Sequence, residues 1–404
     1  MGALSHIRVL DLSRVLAGPW ATQMLADLGA EVIKIERPGR GDDTRSWGPP
    51  YLGEGEGRRS AYFLSANRGK RSVAIDIARP EGRDLVRRLA AESDVLVENF
   101  RTGALARYGL DYDSLVGECP GLIYCSITGF GQTGPYASRA GYDLLIQALG
   151  GLMSVTGEPD ARPGGGPMKV GVALADVLTG LYATIGIQAA LTHRDRTGEG
   201  QYLDLALMDS AVASLANQAL NYLVSGRPPE RMGNAHPNIV PYQAFAAADG
   251  HLVLAVGNDD QFRRFCGIAG RAEWAGDRRF STNEARVRHR DELIPEIASV
   301  IVRRRRADWL AELERVGVPC GPINDMEEVF GDPQARHRGL AFTLGDGDLD
   351  IPQVANPIRL SSTPPTYHRP PPRLGADTEA VLRGVLHLDD DAIGALRQRG
   401  VFGE

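Results

Sequence analysis

The sequence has little of what marks secreted, membrane-spanning or nucleic-acid-binding proteins. Its four cysteines in 404 residues follow neither metal-ligand nor disulfide-framework spacing, which indicates isolated thiols in a reducing compartment. Aromatic residues make up only 6%, no long basic run occurs and the formal net charge is −6, so nucleic acid is not expected as a partner. No run of about 18 uncharged apolar residues could span a bilayer, so we expect no membrane partner. The N-terminus resembles no secretory signal, and we expect a cytoplasmic protein.

Roughly the first 200 residues alternate β-branched runs with amphipathic helical runs. The predicted strands are residues 7–12, 31–36, 72–76, 95–99, 122–127 and 201–205, and the clearest helices are residues 19–28 and 82–91. Strands separated by helices indicate an α/β fold with a mostly parallel, Rossmann-like sheet. Ligands bind beyond the carboxyl ends of such strands, so the loops after Asp11, Glu36 and Asn99 are candidate binding loops.

A chain of this length exceeds one compact core, so we expect two domains. A long helix is predicted from Met208 to about Ser225, followed by a polar linker over residues 226–238. A hairpin over residues 242–256 and several helices then indicate a smaller α+β domain over residues 226–330. The remainder, residues 331–404, contains an extended proline-rich stretch and a final helix over residues 378–386.

One carboxylate, Asp176, lies in the apolar segment 170–180, where a glycine-rich loop gives way to a helix. A charge there is costly to bury unless something compensates it. The first turn of a helix can do so, because its N–H groups and dipole favour an anion. Such a site keeps a carboxylate ionised and aimed, as a nucleophile requires. The alternative interpretation is an ordinary helix N-cap.

Residues 129–134 spell G-x-G-x-x-G after a predicted strand, a pattern typical of dinucleotide sites. That site also requires a helix to begin at once, but Pro135, Tyr136 and polar residues follow. No acidic residue closes a following strand about 20 positions on. We therefore interpret the motif as a backbone turn and not as the mark of a dehydrogenase.

Basic residues recur in or near the candidate loops: Arg14, Arg37, Arg68, Lys70, Arg71, Arg107 and Arg139. Each alone is an ordinary surface charge, but scattered cations beside an apolar cleft suit a ligand with several phosphates. Ile75 and Ile77 could supply such a cleft for an adenine and a long thin arm. Together these residues favour a phosphorylated ligand.

Short motifs follow one another along the chain at residues 14–19, 29–38, 70–72, 98–100, 140–143, 170–180 and 318–323. In this order they resemble the motifs of class III CoA-transferases, the formyl-CoA transferase or CaiB/BaiF family. The resemblance implies that Asp176 is the nucleophile and that two ring-shaped subunits interlock as a homodimer. It further implies a large CoA-binding domain in which residues 1–225 are rejoined by residues 331–404 around the smaller domain.

The resemblance also assigns CoA contacts, with acyl-CoA and a small carboxylic acid as substrates and neither a metal nor a further cofactor. The implied contacts are Val15, Leu16, Ala17, Arg37, Ile75, Asp76, Ile77, Ala78, Asn99, Phe100, Arg107, Arg139, Tyr142 and Asp143. Among these, Arg37 would face the phosphates, residues 75–78 would flank the nucleotide, and Asn99, Phe100 and Arg107 would hold adenine and phosphate. Tyr142 and Asp143 would approach the pantetheine arm.

Two departures put formate and oxalate in doubt as substrates. Leu16 stands where formyl-CoA transferases have glutamine, and residues 257–261 are poorer in glycine than their active-site flap. Within the family, the chain most resembles dicarboxylate enzymes such as the succinate–hydroxymethylglutarate CoA-transferases. We therefore expect succinyl-CoA as donor and a dicarboxylate as acceptor.

Two other functions remain open at this point. An α-methylacyl-CoA racemase resembles this family in fold, but it needs a histidine in the motif that residues 140–143 occupy. Tyr142 is a poor substitute, since a tyrosine has a pKa of about 10. The third interpretation is a CoA-binding protein without catalytic activity.

Overall fold

A computed structural model describes residues 2–347 and 349–403. Its strands are β1 (Arg8–Asp11), β2 (Glu31–Glu36), β3 (Tyr51–Leu52), β4 (Arg59–Ser60), β5 (Lys70–Ala74), β6 (Val95–Glu98), β7 (Ile123–Thr128), β8 (Tyr202–Ala206), β9 (Tyr242–Ala247), β10 (Gly250–Ala255), β11 (Cys320–Pro322), β12 (Ala341–Asp346) and β13 (Leu349–Val354). Most strands predicted in the first half lie within two residues of these bounds.

The helices alternate with these strands. They are α1 (Ala17–Asp27), α2 (Ala61–Ser65), α3 (Pro80–Ala91), α4 (Tyr112–Leu115), α5 (Asp143–Leu149), α6 (Leu152–Val155), α7 (Leu174–Thr197), α8 (Leu207–Ala213), α9 (Ala216–Ser225), α10 (Asp259–Ile268), α11 (Glu273–Gly276), α12 (Asn283–Arg288), α13 (Arg290–Ile301), α14 (Arg306–Arg315), α15 (Met326–Gly331), α16 (Pro333–His337), α17 (Thr378–Leu386) and α18 (Asp390–Gln398). Short 3₁₀ helices lie at Asp43–Ser46, Gly55–Gly57 and Ala106–Tyr108.

A six-stranded sheet with the order β5-β2-β1-β6-β7-β8 confirms the expected mixed α/β fold with a large parallel sheet. Every neighbouring pair in it is parallel. From β1 the chain adds β2 and β5 on one side, and from β6 it adds β7 and β8 on the other side. The topological switch point therefore lies between β1 and β6, where open α/β sheets bind ligands beyond the carboxyl ends of their strands.

Both faces of this sheet are covered, which is why its strands are apolar on both sides. Leu10 belongs to a cluster formed with α3 and α17, whereas its neighbour Val9 belongs to a cluster formed with α1 and α7. Successive residues of a strand point to opposite faces. Helix α7 has the length and apolar composition that could cross a membrane. It packs against α1, α8 and β7, and core helices of globular domains have the same properties.

Residues 333–404 belong to the same compact unit as the large sheet. The Ser72 N–H donates to the Asp377 carboxylate at 3.0 Å, and the Asp76 N–H donates to the Val401 carbonyl at 2.8 Å. This larger unit comprises residues 1–152, 170–220 and 333–404. The smaller unit comprises residues 153–169 and 221–332. The sequence patterns did not assign residues 153–169 to the smaller unit.

The smaller unit has an antiparallel sheet with the order β11-β10-β9 and helices α10 to α15. Its core includes Trp309, Phe262 and Phe265, all at most 1% exposed. Residues 257–261 begin α10, where the Asn258 side chain accepts a hydrogen bond from the Gln261 N–H at 2.9 Å.

Two features differ from the sequence prediction. The helix predicted over residues 208–225 is divided into α8 and α9, and Ala216 at the break has φ +45°. Strands β12 and β13 form an antiparallel pair that the sequence did not predict. Its Pro352 is tolerated because a two-stranded ribbon leaves one N–H side of each strand unpaired.

Candidate active site

Two adjoining clefts lie beyond the carboxyl ends of the sheet strands, both within the larger unit. The first, the Asp176 cleft, is lined by Arg14, Val15, Leu16, Ala17, Asn99, Phe100, Arg101, Thr102, Ile127, Thr128, Gly129, Arg139, Ala140, Gly141, Tyr142, Asp176 and Leu207. The second, the Arg37 cleft, is lined by Leu12, Arg14, Lys34, Ile35, Glu36, Arg37, Gly41, Asp42, Ile75, Asp76, Ile77, Ala78, Phe100, Arg107 and Tyr108. Arg14 and Phe100 line both, so the two clefts share a wall.

These clefts bring together thirteen of the fourteen residues to which the family resemblance assigns CoA contacts, plus Asp176. The exception is Asp143, which lines neither cleft. Its Oδ1 accepts a hydrogen bond from the Ala175 N–H at 2.9 Å, and its Oδ2 accepts one from Gln147 Nε2 at 2.7 Å. Asp143 thus holds the first turn of α7.

Asp176 is the third residue of α7, whose N-cap is Ala173. The interpretation of Asp176 as an ordinary N-cap is therefore wrong. Burial, and secondarily the nearby Asp143 carboxylate, raise the pKa of Asp176 to about 7. The expectation that the helix terminus keeps this carboxylate ionised is thus too simple, because desolvation disfavours the charged form.

Helix α7 reaches the cleft because Gly180 allows it to approach α1 closely. A Cβ atom at Gly180 would lie 2.7 Å from the Ala17 carbonyl oxygen and 3.1 Å from the Trp20 ring. Gly180 is one helical turn beyond Asp176, and Ala17 is the first residue of α1. This close packing brings the Asp176 turn to the beginning of α1.

Residues 12–16, the β1–α1 loop, have their backbone fixed by polar side chains. Asn99 accepts from the Arg14 N–H at 2.8 Å and donates to the Arg14 carbonyl at 2.7 Å. The predicted role of Asn99 at the adenine is not tested, but its amide group clearly clamps this loop. Leu16 and Ala17 line the Asp176 cleft, and their N–H groups donate no hydrogen bond within the described chain.

The basic residues divide into two groups. Arg14, Arg37, Arg107 and Arg139 line the clefts, and the Arg139 guanidinium lies 4.4 Å from the Tyr136 ring centre. Arg68, Lys70 and Arg71 lie at or just before the amino end of β5 and line neither cleft. They pair with the carboxylates of Asp27, Asp11 and Glu31, and the Lys70 side chain reaches Asp11 at the carboxyl end of β1. Of the seven basic residues, the four cleft arginines are therefore the ones that a phosphorylated ligand in these clefts could reach.

The segment 129–134 is a turn, as expected. No helix follows β7 until Asp143. A Cβ atom at Gly129 would lie 2.5 Å from the Gly141 Cα, so the two glycine backbones are in direct contact. This contact holds residues 140–142 against the carboxyl end of β7, where they line the Asp176 cleft.

Sequence reasoning missed Gln147 and Tyr62. Gln147 is fully buried, and its Oε1 accepts from the Val170 N–H at 2.9 Å, which fixes the segment leading into α7. Burial, followed by the charges of Asp176 and Asp143, raises the pKa of the Tyr62 phenol to about 12. Among residues 2–347 and 349–403, no group of three or more His, Cys, Asp or Glu side chains is arranged to hold a metal ion.

Comparison with known proteins agrees with this geometry. The model of CoA-transferase family III matches residues 4–378. The chain is 56% identical over 383 residues to the succinate–glutarate CoA-transferase of Agrobacterium fabrum, covering 94% of each protein. It is 45% identical over 404 residues to the Homo sapiens succinyl-CoA:glutarate CoA-transferase, covering 99% of this chain and 90% of that protein. The crystal structure of a CaiB/BaiF family protein from Brucella suis matches with a TM-score of 0.84 and 50% identity, over 95% of this chain and 99% of that one. The chain belongs to CoA-transferase family III.

Proposed function

We propose that this enzyme transfers CoA from succinyl-CoA to a dicarboxylic acid, with glutarate as the first acceptor to test. Two relatives that cover most of the chain are named for succinate or succinyl-CoA and for glutarate. The observation that carries the proposal is the position of Asp176. Asp176 lines a cleft together with Leu16 and Ala17, whose N–H groups are unpaired at the beginning of α1, beside a second cleft lined by Arg37 and Arg107.

The proposed mechanism uses Asp176 as a carboxylate nucleophile. The ionised carboxylate attacks the succinyl thioester carbonyl, which gives a succinyl–aspartyl anhydride and releases the CoA thiolate. The thiolate then attacks the aspartyl carbonyl, which gives an aspartyl-CoA thioester and free succinate. The acceptor carboxylate attacks this thioester, and the released thiolate attacks the acceptor carbonyl, which yields the new acyl-CoA and restores Asp176. Each step exchanges one activated acyl bond for another, so the reaction needs no ATP.

Negative charge develops on a carbonyl oxygen in each of these attacks. Leu16 and Ala17 line the same cleft, and we propose that their unpaired N–H groups stabilise that charge. Removal of one such donor costs roughly 3–4 kcal/mol of activation free energy in other enzymes. The Arg37 cleft, with its cations and the apolar Ile75 and Ile77, would hold the nucleotide part of CoA.

A racemase remains the second candidate in this fold. Such an enzyme needs a second acid–base group near the α-carbon, and no histidine lines either cleft in the described part of the chain. Deuterium exchange distinguishes the two functions. A racemase incorporates solvent deuterium at the α-carbon of a branched acyl-CoA, and a transferase does not.

We also propose that the enzyme is a homodimer. Large apolar side chains on α5, α7 and α8 are exposed, including Leu144 (55%), Ile185 (63%) and Val212 (43%). A set of exposed apolar side chains of this size is typical of an interaction surface. Light scattering coupled to size-exclusion chromatography tests this proposal: a dimer mass supports it, and a monomer at micromolar concentration contradicts it.

A matrix of CoA donors against free acids tests the proposed function, with succinyl-, acetyl- and oxalyl-CoA as donors and products read by mass spectrometry. Succinyl-CoA with glutarate should give glutaryl-CoA, and Asp176→Ala should abolish this transfer. CoA binding by Asp176→Ala should remain close to that of the wild type, because Arg37 and Arg107 are unchanged. Near-normal turnover by the alanine variant would contradict the mechanism.

A further inference from the structure

Val15 has a backbone conformation that its side chain disfavours. Its φ is +71°, in the left-handed region that β-branched residues rarely adopt. It lies in the β1–α1 loop, directly before Leu16 and Ala17, and all three residues line the Asp176 cleft. Strained residues persist only where the surrounding structure holds them, and they concentrate at functional sites.

The Val15 N–H group donates a hydrogen bond to Asp42 Oδ1 at 3.3 Å. The same oxygen accepts the Thr44 N–H at 3.0 Å and the Thr44 hydroxyl at 2.8 Å. The other oxygen of Asp42 lies 3.0 Å from Lys34 Nζ, and both of these side chains are completely buried. Asp42 is thus fixed from two sides while it faces the loop.

Lys34 also acts on the loop directly, because its Nζ donates to the Ser13 carbonyl at 2.7 Å. Although burial acts in the opposite direction, the Lys34 charge and the Thr44 hydrogen bonds hold the pKa of Asp42 below its usual value. The pair therefore remains charged at neutral pH. A buried ion pair adds little to the stability of a protein on average. The presence of the Lys34–Asp42 pair next to the strained β1–α1 loop therefore indicates a role other than stability.

We propose that the buried Lys34–Asp42 pair is a positioning device for CoA transfer. It holds Val15 in the left-handed conformation and thereby keeps the Leu16 and Ala17 N–H groups in the Asp176 cleft. When Asp42 loses its charge, Lys34 no longer holds the side chain of residue 42 in place and the hydrogen bond to the Val15 N–H weakens. Val15 then relaxes toward negative φ and turns the following N–H groups away from the reacting carbonyl. Neither Lys34 nor Asp42 needs to touch the acyl group. This inference rests on the proposed function, since it assumes that charge develops beside Asp176.

A double-mutant cycle of Asp42→Asn and Val15→Gly tests the proposal. Glycine adopts positive φ without strain, so the preference of valine for negative φ no longer drives the loop out of position. We expect Asp42→Asn to lower kcat about 10-fold when residue 15 is valine and less than about threefold when it is glycine. The KM for succinyl-CoA should change less than about threefold in both pairs, because Lys34 and Asp42, although they border the Arg37 cleft, have completely buried side chains. Equal effects of Asp42→Asn in the two backgrounds would overturn the proposal.

Asp27→Asn is the matched control. Asp27 pairs with Arg68 at 2.7 Å, both are nearly buried and neither lines the two clefts. The Asp27→Asn substitution should lower the melting temperature and leave kcat unchanged in either background.

If Asp42→Asn does not fold, Thr44→Val replaces it in the cycle, because it removes one hydrogen bond from the same Asp42 oxygen. The expected loss of kcat is then about threefold in the valine background and absent in the Val15→Gly background. A wild-type enzyme without transfer activity contradicts the proposed function, whereas an active wild type without coupling contradicts only this inference.

Discussion

The Ala175 N–H group donates a 2.9 Å hydrogen bond to Oδ1 of Asp143, so a second carboxylate lies at the turn of α7 that carries Asp176. Asp143 stabilises the beginning of the helix, where the backbone N–H groups lack partners. The same negative charge adds to the effect of burial in raising the pKa of Asp176. One residue therefore positions the candidate nucleophile and makes it harder to ionise.

Asp143→Asn should shift the pH dependence of transfer toward lower pH. The proposed mechanism requires ionised Asp176, so the wild-type rate should rise with pH through an apparent pKa of about 7. Asparagine retains an oxygen for the Ala175 N–H but removes the charge, which lowers the pKa of Asp176. Because burial is the larger cause, we expect a shift below about one pH unit. The pH profiles of kcat/KM for the wild type and for Asp143→Asn measure this shift. A shift to higher pH would contradict the account.

Asp176→Asn should stabilise the protein in a pH-dependent manner. The carboxyl pKa is raised in the native state, so between pH 4 and 7 the native state holds a proton that the unfolded chain has lost. Wild-type stability therefore falls as the pH rises through this range, whereas the neutral asparagine has no such penalty. The stability gain should be absent below pH 4 and reach on the order of 1–3 kcal/mol above pH 7. Urea unfolding at pH 4 and pH 8 measures this difference, and equal gains at both values would count against it.

Gly180→Ala should reduce both stability and activity. The added methyl group would collide with the Ala17 carbonyl and separate α7 from α1, at a cost of roughly 1–3 kcal/mol. Gly384→Ala is the matched control, since Gly384 is also helical and nothing lies within 4 Å of an added Cβ. That substitution should stabilise by about 0.5–1 kcal/mol. Thermal unfolding and transfer assays compare them, and similar behaviour of the two variants would exclude close helix packing as the reason for Gly180.

Asn99→Ala and Arg107→Met should affect different kinetic constants. Asn99 clamps the Arg14 backbone at 2.8 and 2.7 Å, so its loss should lower kcat about 10-fold by loosening the β1–α1 loop. Arg107 lines only the Arg37 cleft, so its loss should mainly raise the KM for acyl-CoA. Steady-state kinetics with succinyl-CoA and glutarate separate the two effects. A pure KM effect at Asn99 would favour its direct contact with CoA over the clamp.

The sequence predicted what depends on local pattern. The strand Glu31–Glu36 and the helix Thr378–Leu386 match the predicted bounds, because their apolar spacing is regular. The sequence did not predict the pair of strands β12 and β13, because Pro352 interrupts the strand pattern. The two strands are recognised by their hydrogen-bonded pairing, which is visible in the structure. Asp176 could be identified by its place in an apolar segment. Its raised pKa could not, because burial depends on packing between distant elements.

The hydrogen bonds that fix the β1–α1 loop could not be predicted from the sequence either. The acceptor for the Val15 N–H is Asp42, 27 residues away along the chain. The clamp on Arg14 comes from Asn99, 85 residues away. Such contacts follow from the order of strands in the sheet, which places the loop after β1 beside the loop after β6. Charge pattern alone could not separate the cleft arginines from Arg68, whose pairing with Asp27 is a tertiary contact.

The most direct measurement of the central claim is peptide mass spectrometry after incubation of the pure enzyme with isotopically labelled succinyl-CoA and no acceptor. We predict that the peptide containing Asp176 carries covalently bound CoA, that hydroxylamine converts it to a hydroxamate, and that added glutarate removes the CoA. Rapid formation of glutaryl-CoA without any modified peptide at residue 176 would contradict the account.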